Sequence, residues 1–405
     1  PPRSPLKRRA HTVHMSTEQP SYTGPAFLSY GFRPFFLSAA LFAGAAVPVW
    51  ALILAGWADS PLRYAPRDWH VHEMLFGFLP AVITGFLLTA MPNWTDRPPL
   101  RGTPLLALLA LWLAGRLTIA MPWPTPLVSA LIDAGYLAVL AAIVWREIIA
   151  GKAWDRAPIG LVISLYACAN ILFHMFARSS AETDLPERMA VALMMLLLTL
   201  IGGRITPSFT SDYLAERGLP DQLPSFSRYD GLTIVLTAVA ALSWVVQPQA
   251  MTTGWCLITA GLANIVRLAR WRGWTTWREP LVLILHVGYG WLSLALLILG
   301  GAALEVGLKP ADAVHALTTG AVGAMTLAVM TRASLGHTGR PKQADSMTIA
   351  IYILVNLGAL LRVFGPAIGL PTNLVLGAAA ATWSSAYLLF AAIYGPYLIR
   401  PSLDE

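Results

Sequence analysis

Apolar residues in this chain come in blocks of about 20, and the short links between blocks hold most of the charge. A block of that length crosses the roughly 30 Å hydrocarbon layer of a bilayer as an α-helix, the one open-ended structure that satisfies its own backbone there. Spans are predicted near 33–56, 70–91, 104–121, 126–148, 157–177, 187–210, 230–247, 252–271, 280–303, 311–334, 346–367 and 372–397. The expected architecture is an all-α integral membrane protein, a twelve-helix transmembrane bundle in which residues 26–405 form a single domain. Composition excludes a water-soluble enzyme. Of 405 residues, 56% are hydrophobic and 12% charged, too little polar surface to cover soluble domains. Breaker-rich links such as Met121-Pro-Trp-Pro-Thr-Pro126 leave no room for one.

The net charge of +7 does not point to nucleic acid, because the cations sit at membrane edges rather than on one solvated face. They collect in alternate links. One side carries Arg97, Arg101, Arg146, Lys152, Arg156, Arg217, Arg270, Arg340 and Arg400, among others. The opposite side carries only Arg63, Arg67, Arg178, Arg188 and Lys309, diluted by carboxylates such as Asp68, Glu187 and Asp312. Positive links stay in the cytoplasm, so both termini are expected inside a bacterial inner membrane. Residues 1–25 are basic and proline-containing without the apolar core of a cleavable signal; they read as a disordered cytoplasmic arm with Met15 a candidate start site. Cys168 and Cys256 fall in apolar segments of different helices and read as buried free thiols.

A short echo recurs at the cytoplasmic ends of the second, sixth and tenth spans: Leu88-Thr-Ala-Met-Pro-Asn-Trp-Thr-Asp-Arg97, Gly202-Gly-Arg-Ile-Thr-Pro-Ser-Phe-Thr210 and Met330-Thr-Arg-Ala-Ser-Leu-Gly-His-Thr-Gly-Arg-Pro341. Its spacing suggests three pseudo-repeated groups of four helices.

Polar groups are costly in hydrocarbon, so intramembrane histidines are candidate ligands. At about 1.5 Å per residue, His70, His72, His174 and His315 lie near the outer face, and His286 and His337 nearer the inner one. His11 and His14 fall in the basic arm and are incidental. In Trp69-His-Val-His-Glu73 the two imidazoles lie about 200° apart on a regular helix, so each must serve a different neighbour. Imidazole suits haem iron and copper, and the sequence offers no thiolate or carboxylate cluster that would select zinc or iron-sulfur instead. Arg63, Arg67 and Arg362 lie at the outer depth, where cations would meet haem propionates. Deeper, Arg116 and Asp133 stand at equal depth across a short hairpin and are expected to pair, a cofactor contact for Arg116 being the rival reading. Arg33, Arg204 and Arg332 accompany His286 and His337 at the inner end; they read first as topology signals, a second anionic or metal site there being the rival reading. Met194, Met195, Met325 and Met330 read as packing, and Gly300, Gly301, Gly320 and Gly323 as close helix contacts.

In Gly31-Phe-Arg-Pro-Phe-Phe36, Trp69-His-Val-His-Glu-Met-Leu-Phe-Gly77, Leu87-Leu-Thr-Ala-Met-Pro-Asn-Trp94 and the 330–341 motif, the sequence resembles the NnrS family over nearly everything after residue 25. The resemblance implies a multi-pass bacterial membrane protein with haem and copper, linked to denitrification and tolerance of nitric oxide. By motif it carries over to His70, His72, Glu73, Arg332 and His337, and through flanking sequence to His315. A weaker analogy is with haem-copper oxidases, which also use twelve helices in three groups of four with haem ligands on the second and tenth; an adjacent histidine pair on the seventh is missing here.

The combined expectation is a b-type haem near the periplasmic face held by His72 and His315, with His70 and His174 completing a copper or second haem site, and nitric oxide or a metal-nitrosyl species as ligand. A redox enzyme would also need an electron donor, which the sequence does not name, and proton carriers, for which Glu73 and His286 are slender candidates. A sensor or scavenger would bind without turnover. A transporter would use the histidines as substrate or relay sites, but no two-half inverted repeat is evident.

Overall fold

The computed structural model describes residues 22–58, 63–178, 182–219, 223–369 and 371–403, so the predicted basic arm lies almost wholly outside the described residues. Among the described residues, eleven helices are long and apolar enough to cross a membrane. They are α1 (Phe32–Leu54), α2 (Pro66–Thr95), α3 (Thr103–Ala120), α4 (Pro126–Ala150), α5 (Trp154–Ala177), α6 (Asp184–Glu216), α7 (Arg228–Val246), α9 (Pro280–Ala303), α10 (Pro310–Gly336), α11 (Ser346–Phe364) and α12 (Thr372–Ile399). Between α7 and α9 runs α8 (Met251–Arg270). It fills the 252–271 span but is not among the eleven, because Thr252, Thr253, Asn264, Arg267 and Arg270 dilute its apolar residues.

The helix starts are written in the sequence. Proline occupies the first turn of α2, α3, α4, α9 and α10, where its missing N–H breaks no helical bond. At the start of α11 the Asp345 carboxylate accepts hydrogen bonds from the Thr348 amide and hydroxyl at 2.8 and 2.7 Å. Three helices are interrupted. Wider π-helical segments occupy Glu73–Phe78 in α2, Leu198–Gly202 in α6 and Ala316–Val322 in α10, the three helices that carry the sequence echo.

One contiguous apolar cluster runs from Phe32 to Leu398. Gly254 on α8 and Gly300 on α9 let their backbones meet: a Cβ on Gly300 would stand 2.9 Å from the Gly254 carbonyl oxygen. Gly320 and Gly323 likewise lie against Trp291 and Trp383. The perimeter is apolar, with Leu131 and Leu242 each 65% exposed, as a lipid-facing surface requires. Cys168 belongs to that perimeter rather than the interior, and Cys256 is half-buried; both are free thiols. The expectation of two buried cysteines fails for Cys168 because apolar surroundings in a membrane protein include lipid.

Candidate functional site

His70 and His72 stand on the last turn of α2 before its π-helical segment and point to different surroundings, as their spacing requires. His72 is completely buried. Its Nδ1 lies 3.0 Å from Glu73 Oε1, and its Nε2 lies 3.1 Å from Asp133 Oδ2 on α4 and 3.3 Å from Asn170 Oδ1 on α5. The same Asp133 oxygen sits 2.8 Å from His174 Nε2, and His174 Nδ1 meets the Tyr64 hydroxyl at 2.7 Å. Tyr64 lies in the link before α2, where burial first and the Asp133 charge second push its hydroxyl above its ordinary range, keeping it neutral.

Arg116 on α3 locks this cluster. One guanidinium nitrogen donates to Glu73 Oε2 at 2.6 Å and the other to Asp133 Oδ1. The expected Arg116–Asp133 pair is present, and Glu73 joins it. His72, Asp133 and His174 each offer a donor atom, all within 4.8 Å of one another. Bonds of roughly 2.1 Å in a tetrahedral site place donor atoms about 3.4 Å apart, so a small cation would need only slight spreading of this set.

His70 faces elsewhere. It stacks on Trp50 of α1 with ring centroids 4.0 Å apart, and its Nδ1 is buried without a hydrogen-bond partner. Together with His315, Arg67, Arg188 and Arg362 it lines a cavity of about 550 Å³, otherwise walled mainly by apolar side chains including Met74, Met194 and Trp383. The π-helical segments of α2 and α10 both contribute wall residues, Leu75 and Phe78 from one, Thr318 and Val322 from the other. The hydrogen bonds of His315 run through Nδ1, 2.7 Å from the Ala311 carbonyl and 3.1 Å from Arg362 Nη2. A guanidinium can only donate, so Nδ1 serves one of these at a time; bonded to the carbonyl, its N–H leaves the Nε2 lone pair free.

The histidines are therefore partnered the other way from expectation: His70 shares a cavity with His315, and His72 meets His174. Helical phase separates the two α2 imidazoles but does not say which faces α10. Of the cations expected at the outer depth, Arg362 lines the cavity and pairs with Asp312 at 3.1 Å. Arg67 lines it too, held by Glu187 at 2.9 and 3.0 Å. Arg63 does not; it donates to the carbonyls of Thr118, Met121 and Pro124. Arg188 lines the cavity and meets the Val245 carbonyl rather than a carboxylate. Among charged groups, Arg188 and the Glu73–Asp133 convergence escaped the sequence reading. Sixty residues separate those two carboxylates, and no local pattern announces their meeting.

The remaining candidates lie toward the other end of the bundle. His286 Nε2 meets the Thr210 hydroxyl at 2.9 Å, while its Nδ1 is buried without a partner. His337 follows α10 with its ring near Tyr30 and Phe32. Arg332 lies over the Phe209 ring at 4.0 Å. Arg33 donates to the carbonyls of Tyr397, Leu398 and Arg400, and to the Ser402 hydroxyl, capping the carbonyl end of α12.

The family model of the NnrS protein matches residues 26–402. The chain belongs to the NnrS family. The matched range takes in both NnrS motif histidines of α2, their partners His174 and His315, and the Arg116 that ties Glu73 to Asp133. No curated protein matches the chain.

Proposed function

We propose that this NnrS-family chain is a nitric oxide-associated inner-membrane protein that holds a b-type haem in the cavity between His70 and His315 and copper at His72, Asp133 and His174. The single observation that carries the reading is the convergence of two imidazoles from α2 and α10 on one largely apolar cavity. Its volume of about 550 Å³ falls within the roughly 300–1,000 Å³ of cofactor pockets. The donor chemistry fits. Metal-bound histidines commonly donate their second ring nitrogen to a backbone carbonyl, and the Ala311 carbonyl lies 2.7 Å from His315 Nδ1, placed to accept it. Arg188, which meets no carboxylate among the described residues, is placed to meet a propionate, and Arg362 sits beside His315.

Bound haem would supply an iron orbital for nitric oxide or a related nitrosyl species. The chain's own work is to exclude water with the apolar wall, orient His70 through the Trp50 stack and fix the tautomer of His315. An apolar gas reaches such a cavity through lipid and helix interstices. The finer architecture belongs to the same proposal: α8 as a twelfth crossing, both termini cytoplasmic, the cavity toward the periplasm and three groups of four helices. The π-helical interruptions of α2, α6 and α10, each four helices from the next, support the grouping. So does a repeated hydroxyl pair, Thr84 with Tyr136 between α2 and α4, and Thr326 with Tyr387 between α10 and α12.

The optical spectrum and metal content of the purified protein test the reading. A Soret band should disappear in His70→Ala and in His315→Ala while the protein still inserts. His72→Ala and His174→Ala should keep that band and lose copper. Wild-type protein without a Soret band would leave transport as the better account, and full haem retention in both cavity variants would refute the pairing.

A further inference from the structure

At the end of the bundle away from the histidine cavity, α2 and α4 finish side by side. A Cβ on Gly151, just past α4, would stand 2.8 Å from the Thr95 carbonyl oxygen, so the two backbones meet there. Beside that contact lies a cavity of about 250 Å³. Arg97, Arg146 and Glu147 line it together. The Glu147 side chain is 9% exposed and both of its oxygens are taken: Arg97 Nε donates to Oε2 at 2.5 Å, and Arg146 reaches Oε1 through Nε at 2.8 Å and Nη2 at 2.6 Å. Two guanidiniums on one carboxylate leave one positive charge. The neighbouring carboxylates do not cancel it, for Asp96 is exposed and outside the lining, and Asp155 is paired with Arg156. Both Nη atoms of Arg97 and Nη1 of Arg146 have no hydrogen-bond partner among the described residues.

We infer that this cavity binds the phosphate group of an anionic phospholipid, with Arg97 and Arg146 as the binding residues. A guanidinium donates in parallel pairs to a phosphate, and two of them held at one spot by a shared carboxylate are oriented before the anion arrives. Glu147 is a positioning residue: it aims both guanidiniums, and its charge moderates their hold on an anion. Pro98 and Pro99 form part of the wall with fixed φ and no N–H, so the link that carries Arg97 is stiff. Free phosphate offers the same chemistry, but the floor of the cavity favours a lipid. Leu88 and Met91, two turns and one turn before the end of α2, and Ile143, one turn before Glu147, line its deeper part and suit glycerol and acyl carbons. Basic pockets between spanning helices at a membrane edge take anionic headgroups in this way. Both leaflets carry phosphodiesters, so the inference holds whichever side this end of the bundle faces.

Native mass spectrometry of delipidated full-length protein in detergent tests the site, with phosphatidylglycerol and zwitterionic phosphatidylcholine as ligands and inorganic phosphate as competitor. Wild type should hold one phosphatidylglycerol about tenfold more tightly than phosphatidylcholine. Arg97→Gln and Arg146→Gln should each weaken that lipid about tenfold and erase the preference. Glu147→Gln raises the charge of the site by one unit and should tighten the lipid about tenfold, the opposite of what losing a merely structural ion pair would do. The double variant Glu147→Gln/Arg146→Gln restores the single positive charge and should bind as wild type does, which keeps the test decisive if Glu147→Gln fails to fold. Affinity for phosphatidylglycerol unmoved by both arginine variants, or lowered by Glu147→Gln and by the double variant alike, would overturn the site. Inorganic phosphate that displaces the lipid at equal concentration would overturn the lipid assignment in favour of a soluble anion.

Discussion

One intervening residue, Val71, separates two imidazoles into two environments. The sequence made their divergence legible, because 200° of rotation follows from spacing alone, but not their destinations, which depend on how α2 is turned against α5 and α10. Arg116 and Asp133 were legible as a pair because a hairpin fixes their relative depth; Glu73 was not, because it arrives from another helix. A different, half-buried carboxylate offers a test at this scale. Glu279 precedes α9 with Oε1 buried and without a hydrogen-bond partner. Burial pushes its pKa above the ordinary carboxylate range, against the opposing Leu281 amide and the charges of Arg332 and Arg217. A carboxyl raised in the folded state stabilises below its unfolded pKa of about 4.3 and loses that contribution as pH rises through the folded value. Glu279→Gln should therefore melt at a higher temperature than wild type at pH 7 and equally at pH 4, measured by thermal denaturation in detergent.

Helix starts were legible because proline in a first turn is a local signal, and helix length follows bilayer thickness. The π-helical segments were not, since a widened turn has no side-chain signature. They matter because they break the helical phase between the residues before and after them. His315 immediately precedes Ala316–Val322, so its direction relative to the rest of α10 depends on that extra turn width. Deleting Thr318 and Thr319 together should remove the residue that the widened turn absorbs and one more, rotating His315 by about 100° relative to the helix beyond. Haem content should then fall to background, whereas deleting Val306 in the α9–α10 link should preserve it. Optical spectra of the two purified variants give the comparison; equal retention would show that the segment does not aim His315. The α8 helix falls short of the other eleven in apolar composition for a related reason. Its stripe of Asn264 and Arg267 is inward, so composition alone understates how apolar its outer face is.

Across the whole molecule, the cavity is walled by residues from both ends of the chain, Trp50 of α1 and Trp383 of α12 included. The seam between those helices is fastened by Arg33, which is 1% exposed and spans the carbonyls of residues 397, 398 and 400. Arg33→Ala should cost about 2–4 kcal/mol by orphaning those carbonyls, seen as easier unfolding in a denaturing detergent titration. None of this was visible in the Gly31-Phe-Arg-Pro motif, where the arginine reads as a topology signal, because its partners lie more than 360 residues away. The seam also dictates a timetable. A ribosome delivers α1 first and α12 last, so the chamber stays open along one side until the final hairpin has entered the membrane. Whatever the chamber carries must be installed after synthesis of that hairpin, and a nascent chain stalled before it would hold the histidines without a closed room to use them.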